Sequence, residues 1–328
     1  MELSVIIPVY KVEAYIEPFA RSMMEQTLTD GVEFLFVDDA SPDSTISILR
    51  QVIERYPQRK AQVQILTHAE NLGLPAARNT GLAAATGTYI YHADSDDLAE
   101  PNLLEGMLSE ALRTDADVVW CDWSLMMHHS RRPMPQPTYA TPTDAMKGML
   151  AGQMRYNVWN KLVRHTLYTD HSISFPSGFS MGEDMTMILL TAHARKVSHL
   201  PQVLYHYRKT NAGAMTQAYS DDHLRQLRHN IDRVCSYLRL NFPDNGMEQV
   251  MAFFKLEAKF PFLLMSPFSR GRRLWQEWFP EANGFIPANT YISSRSRRLQ
   301  QWAASGRWHL VNAYRILLTK IIYGILYR

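Results

Sequence analysis

Short apolar runs alternate with stretches of helical spacing along the first third of the chain. Residues 4–10 and 33–37 are β-branched and aromatic runs of the kind a buried strand needs. Between them, across 12–28, Ile16, Phe19 and Met23 fall on one helical face. Residues 43–56 place Ile46, Leu49, Val52, Ile53 and Tyr56 at helical spacing behind a Ser-Pro-Asp-Ser start signal. The alternation continues with a strand at 63–67, a helix at 74–86 with Pro75 in its first turn, and a strand at 88–92. A helix at 101–113 and a strand at 117–123 complete it. Strands separated by helices predict an α/β fold, a mostly parallel sheet with helices on both faces.

The segment 128–143, with Pro133, Pro135, Pro137 and Pro142, reads as a loop. Beyond it the pattern predicts a helix at 183–195 and a strand at 202–207. From about 221 it is helical, with Leu224, Leu227, Ile231, Val234 and Leu238 in one stripe. The expected division is an α/β domain over 1–216 and a helical C-terminal appendage over 217–328.

Composition narrows the classes. With 46% apolar and 11% aromatic residues in 328, the chain can bury a full core, which excludes disorder. Two cysteines, Cys121 and Cys235, neither make a disulfide scaffold nor have metal-ligand spacing. The start, MELSVIIPVYK, reads as a first strand rather than a signal peptide. No stretch reaches the ~18–20 apolar residues that span a bilayer. The expectation is a chain that stays in the cytosol. The formal charge of +2 hides an asymmetry: residues 293–328 hold seven bases and no acid. Such a tail points to an anionic partner, membrane or nucleic acid.

Ligands of an open parallel sheet bind beyond the carboxyl ends of its strands. Those positions hold Pro8 and Tyr10, then Asp38 and Asp39, then a loop leading to Arg78, then Asp94-Ser-Asp96-Asp97. So many like charges imply a cation or polar ligand. Asp94 and Asp96 offer the hard oxygens that Mg²⁺ and Mn²⁺ prefer. A second Asp-x-Asp, Asp115 and Asp117, precedes a strand and so sits at the wrong end of the sheet; it reads as a solvated turn.

SVIIPVYK, FVDDASPDST, NLGLPAARNTGL and ADSDD follow one another in the order found in inverting glycosyltransferase family 2, which the chain resembles. VWNKL at 158–162, MGEDM at 181–185 and YHYRKTNAGAMT at 205–216 agree. The likeness covers about residues 3–216 and implies the GT-A fold. It also implies a metal-dependent transfer from a nucleotide-sugar, most simply a UDP-sugar, to a surface polysaccharide or lipid-linked glycan.

By that resemblance Pro8 and Tyr10 would line the base pocket, and Asp38 or Asp39 would accept the base N–H. Arg78 would approach the base or diphosphate. Asp94 would contact ribose or metal, and Asp96 would ligate Mn²⁺ or Mg²⁺. An inverting transfer needs a carboxylate opposite the leaving diphosphate; Asp184 matches the family's base, with Glu183 as the alternative. His206 would complete the metal shell or Arg208 grip the diphosphate, Lys161 would reach phosphate, and Trp159 reads as core. The rivals are a nucleotidyltransferase, which lacks its Gly-rich loop here, and a non-catalytic sugar-nucleotide-binding protein.

The tail keeps two readings. Leu310, Val311, Tyr314, Leu317, Leu318, Ile321, Ile322 and Ile325 project onto one face, flanked by Arg315 and Lys320. Such a helix lies on an anionic membrane or packs on the domain or on a twin subunit in a homodimer. The upstream motifs argue against nucleic acid.

Overall fold

The computed structural model describes residues 1–127, 130–209, 220–243 and 246–318. The chain falls into two compact units, Met1–Met146 with Tyr156–Val234, and Lys147–Arg155 with Cys235–Arg328. The first opens with β1 (Leu3–Val9), α1 (Ile16–Met24), β2 (Val32–Asp38), α2 (Thr45–Glu54), β3 (Val63–Thr67), α3 (Leu74–Ala84) and β4 (Tyr89–His92). β1 pairs in parallel with β2 and β4, and β2 with β3.

Every residue of β1 is buried, as a strand covered on both faces requires. β3, at the edge of the sheet, has none fully buried. α1 turns Ile16, Phe19, Ala20 and Met23 inward, an apolar stripe at helical spacing. α3 lies so close to β1 that a Cβ on Gly81 would meet Ile6 Cγ2 at 2.4 Å. A larger residue there would push the helix off the strand that carries the site.

The second half of the sheet is mixed. It adds β5 (Leu98–Ala99), α4 (Leu103–Thr114), β6 (Val118–Met127), β7 (Ser130–Met134), α5 (Pro142–Leu150), β8 (Lys161–Arg164), α6 (Thr166–Thr169), α7 (Thr186–His193), β9 (Val197–Arg208) and α8 (Asp221–Asn241). The strand order is β3-β2-β1-β4-β8-β6-β9-β5, with β7 paired to β6. β8 runs antiparallel to β4 and β6, and β9 parallel to β6. The proline-rich segment is therefore not all loop. Residues 130–134 pair with β6, Pro133 opposite Ser124, and an outer strand tolerates a missing N–H. β9 begins at Val197 rather than 202, and the predicted helix at 183 opens as a 3-10 turn, Glu183–Met185, before α7.

The second unit contains α9 (Met247–Lys259), α10 (Phe268–Glu277), α11 (Ser294–Ala304) and α12 (Trp308–Ile316). Phe254, Leu256, Phe262, Leu263, Trp275 and Val311 form its core. The amphipathic helix expected over 310–328 is described only as far as 318: α12 is helical there and buries Val311 of the predicted face, while α11 before it buries Leu299 and Ala303. Ile321, Ile322, Ile325 and Lys320 lie outside the described residues. Among those described, no helix is long and apolar enough to cross a membrane. Cys121 and Cys235 are both buried. The charge is split by unit: the first has 19 Lys+Arg against 27 Asp+Glu, the second 15 against 5.

Candidate active site

β1 sits between β2 and β4, and the crevice of such a sheet opens at the carboxyl ends of these strands. The loops leaving them are bonded together. Ser95 Oγ donates to Pro8 O (2.8 Å), tying the turn after β4 to the end of β1. Asp39 N donates to Val9 O (3.0 Å). Lys11 and Ala40, each one residue beyond a candidate, have left-handed backbones (φ 53° and 57°). Each stores roughly 1–2 kcal/mol of strain that the surrounding bonds must hold.

Asp38 and Asp39 differ sharply. Asp38 Oδ1 accepts from Ser41 N (2.9 Å). Asp39 Oδ1 lies 2.7 Å from His68 Nδ1 and accepts from Leu72 N (2.8 Å); its Oδ2 accepts from Asn71 Nδ2 (3.0 Å) and Gly73 N (2.9 Å). A carboxylate offers about four acceptor positions, and Asp39 spends them on the loop before α3.

The turn after β4 is anchored through Asp97. Tyr205 Oη donates to its Oδ2 (2.9 Å) and Arg208 N to its Oδ1 (2.7 Å). Asp94 N donates to the same Tyr205 oxygen (3.1 Å). Burial, with the charges of Asp96 and Asp94, pushes the Asp97 carboxyl well above the usual carboxylate range. Tyr205 thus bolts β9 to the acidic turn, a task that strand alternation alone does not reveal.

Arg78 joins the acidic turn to the Glu183–Asp184 pair. It is 1% exposed; its Nη2 donates to Asp94 Oδ1 (2.8 Å) and lies 3.6 Å from Glu183 Oε1. Its Nε and Nη1 are buried without a hydrogen-bond partner among the described residues, a state that costs the desolvation of each donor. Burial raises the carboxyls of Glu183 and Asp184, and the Arg78 charge opposes it in both. Two such interacting acids titrate as a pair.

Lys161 is buried, its Nζ donating to Asn157 O (2.9 Å) and Asn160 Oδ1 (3.0 Å). Burial lowers its ammonium to about 7, against the pull of the Asp184 charge. It is therefore an interior neighbour of Asp184. Trp159 is 6% exposed and stacks on Tyr205 (4.7 Å) and Tyr207 (5.6 Å). Tyr10 is exposed, with Lys11 Nζ 5.0 Å from its ring centre. The Arg208 guanidinium stands 5.3 Å from the Tyr15 ring. Residues 210–216 of the YHYRKTNAGAMT segment lie outside the described residues.

His206 has protein partners at both ring nitrogens. Its Nδ1 is 2.9 Å from Ser124 Oγ and its Nε2 2.8 Å from Glu100 Oε1, with Arg131 Nη2 beside both. Alternation along β9 explains this, because Tyr205 faces Asp97 and the next residue turns to the other side. Among the described residues, no three His, Cys, Asp or Glu side chains are grouped to hold a metal. Asp94 and Asp96 alone still suit Mg²⁺ or Mn²⁺, which take one or two carboxylates and complete their shells with water and substrate phosphate. Burial first, and then the charges of Asp96 and Asp94, raise the Asp97 carboxyl beside them.

A largely parallel α/β sheet with an acidic carboxyl edge is the GT-A fold. The chain belongs to glycosyl transferase family 2, whose model matches residues 4–181. It is 33% identical to EpsH of Bacillus subtilis over 63% of this chain and 60% of EpsH. It is 30% identical to the uncharacterized glycosyltransferase EpsJ of that organism, over 68% of this chain and 67% of EpsJ. The match thus spans under two thirds of EpsH. The crystal structure of TarS 1–349 from Staphylococcus aureus, in complex with UDP-GlcNAc, superposes with a TM-score of 0.70 at 23% identity. It covers 99% of this chain and 92% of that one.

Proposed function

We propose that this glycosyltransferase moves a sugar from a UDP-sugar, with inversion, to a hydroxyl of a surface polysaccharide or lipid-linked glycan, residues 1–216 doing the chemistry. The carrying observation is Arg78, one buried cation bonded to Asp94 and close to Glu183 with two donors left over. It links a donor-binding end to a base-bearing end. TarS supports the choice of nucleotide, having been solved with UDP-GlcNAc and with UDP.

Pro8 and Tyr10 then line the base. Asp38 is the better acceptor for its N–H, because Asp39 is committed to its own loop. Asp184 takes the proton of the acceptor hydroxyl as that oxygen attacks the anomeric carbon and the bond to the diphosphate breaks. Lys161 and Arg78 favour the ionised base that this step needs. A Mn²⁺ or Mg²⁺ held by Asp96 and Asp94 would supply Lewis-acid neutralisation of the leaving diphosphate. A mannosyltransferase of the same fold, from Pyrobaculum calidifontis, was solved with GDP-Man and Mn²⁺ at 17% identity and a TM-score of 0.56.

Replacing Asp184 by Asn tests the assignment. UDP binding should stay within about twofold while transfer falls by about 10²–10⁴-fold. Because the base works ionised and its carboxyl is raised, wild-type transfer should also decline on mild acidification, above the usual carboxylate range. Substantial transfer by Asp184→Asn would sink the reading.

The tail is proposed to meet an anionic membrane. In support, a cavity of about 320 Å³ in the second unit is lined by Ser294, Arg295, Arg298, Trp302 and Tyr314. The full chain should pellet with phosphatidylserine vesicles. Loss of both Arg295 and Arg298 to Ala should weaken that by about 30-fold, at about 1 kcal/mol per base. Equal pelleting of the two proteins would refute the proposal.

A further inference from the structure

The turn that presents Glu183 and Asp184 is gripped from one side by a single helix. Along α8, Gln226, Asn230 and Arg233 are spaced by four and three residues and so share a face. All three bond to residues 179–186. Gln226 Oε1 accepts from Met181 N (3.1 Å). Asn230 Nδ2 donates both its hydrogens, to Phe179 O (3.0 Å) and Met181 O (2.9 Å). Arg233 Nη2 donates to Thr186 Oγ1 (2.8 Å) at the start of α7. The ring of His229 stacks on Phe179 with centres 3.6 Å apart.

Within that grip the backbone bends where only glycine is at ease. Gly182 has φ +86°, and an added Cβ would stand 3.1 Å from Met185 Cε of the turn itself and 3.3 Å from Leu227 of α8. The turn therefore has no side chain at its bend, and both its own Met185 and α8 close on that point. Asn230 is fully buried, and its Oδ1 has no hydrogen-bond partner among the described residues. A core built only for stability would favour an apolar residue over a half-satisfied amide. What the amide supplies is a two-point hold on the carbonyls just before the acidic pair. The family match ends at residue 181, so this helix lies outside it.

We propose that α8, through Asn230 and Gln226, is the positioning element that sets the orientation of the Glu183–Asp184 turn for proton transfer. The inference rests on Asp184 being the base, but its first readout does not. In the full chain, hydrogen–deuterium exchange of peptides covering 179–186 should quicken at least tenfold in Asn230→Ala, with peptides of β1 and β4 unchanged. UDP binding should remain within twofold. In the transfer assay with UDP-GlcNAc and Mn²⁺, kcat should drop about 10–100-fold while KM for the donor stays within about threefold.

Gln226 supplies the milder pair of variants. Gln226→Ala should lower kcat about fivefold, and Gln226→Glu, which keeps the acceptor for Met181 N, should restore it to within twofold. Unchanged exchange over 179–186 in Asn230→Ala overturns the proposal. So does accelerated exchange with an unaltered kcat, or a loss in Gln226→Glu equal to that in Gln226→Ala. If the wild-type chain released no UDP from any UDP-sugar, the proposed activity would fail while the exchange measurement still tested the clamp.

Discussion

Asp94-Ser-Asp96 and Asp115-Ala-Asp117 are the same motif on the same sheet, at opposite ends of their strands. At the amino end of β6, Asp117 is gripped by Arg164 Nε (2.6 Å) and Arg195 Nη2 (2.9 Å), with Arg195 N donating to its other oxygen (2.7 Å). Asp115 pairs with Arg164 Nη2 (2.7 Å). Burial alone would raise the Asp117 carboxyl, but the bonds from Arg195 and Arg164 outweigh it and hold it below the usual range. At the carboxyl end of β4, Asp94 is bonded to Arg78, and the neighbouring Asp97 is driven upward by burial and by the two acids before it. One end neutralises its acids with arginines. At the other, one buried arginine meets Asp94, and Asp97 is raised first by burial and then by the charges of Asp96 and Asp94, a setting that a bound cation would favour.

The largest effect that would separate the two pairs concerns ligand. UDP with Mn²⁺ should raise the melting temperature of the wild-type chain more than UDP alone. In Asp96→Ala the metal-dependent part should vanish, and transfer should fall by about 10²-fold. In Asp117→Ala, judged from its own lower baseline, the metal-dependent shift should persist in full. A metal-dependent shift that survives Asp96→Ala would erase the distinction.

Periodicity was enough to place β1 to β4, their intervening helices and the two acid pairs at opposite ends, because central strands are uniformly apolar and the helices show one clear stripe. It missed β8, whose four residues are too few to show a period, and β7, whose proline reads as a breaker until β6 supplies a partner. The site was legible as a list of residues but not as a division of labour. Asp38 and Asp39 are neighbours with the same side chain. Only the folded loop from His68 to Gly73 shows that Asp39 is saturated. Likewise the expectation that Lys161 reaches phosphate says nothing of its burial, which only the structure shows. Nor does the sequence show that His206 lies against Glu100. Such distinctions depend on contacts between residues far apart in sequence. The role of Asn230 was invisible for the same reason, since its partners lie some fifty positions earlier and it sits in an otherwise ordinary helix.

A smaller effect, on stability, should carry opposite signs at the two ends. The folded pKa of Asp117 is depressed, so its ionised form stabilises the fold above the unfolded value, about 3.9. That contribution is lost as pH falls from there through the lower folded value. Asp117→Ala should therefore cost about 3 kcal/mol at pH 7, since it leaves Arg164 and Arg195 without their buried partner, and the deficit should shrink only below about pH 4. The folded pKa of Asp97 is raised, so ionising it opposes folding, and the penalty grows as pH climbs from the unfolded value toward the folded one. Asp97→Asn retains an acceptor for Arg208 N and a polar partner for Tyr205 while removing the charge. Its urea midpoint at pH 7 should match or exceed that of the wild type, and the advantage should fade toward pH 4. If Asp97→Asn proves as costly as Asp117→Ala at pH 7, the acids after β4 are paired as fully as those before β6, and the electrostatic case for a ligand at that edge is lost.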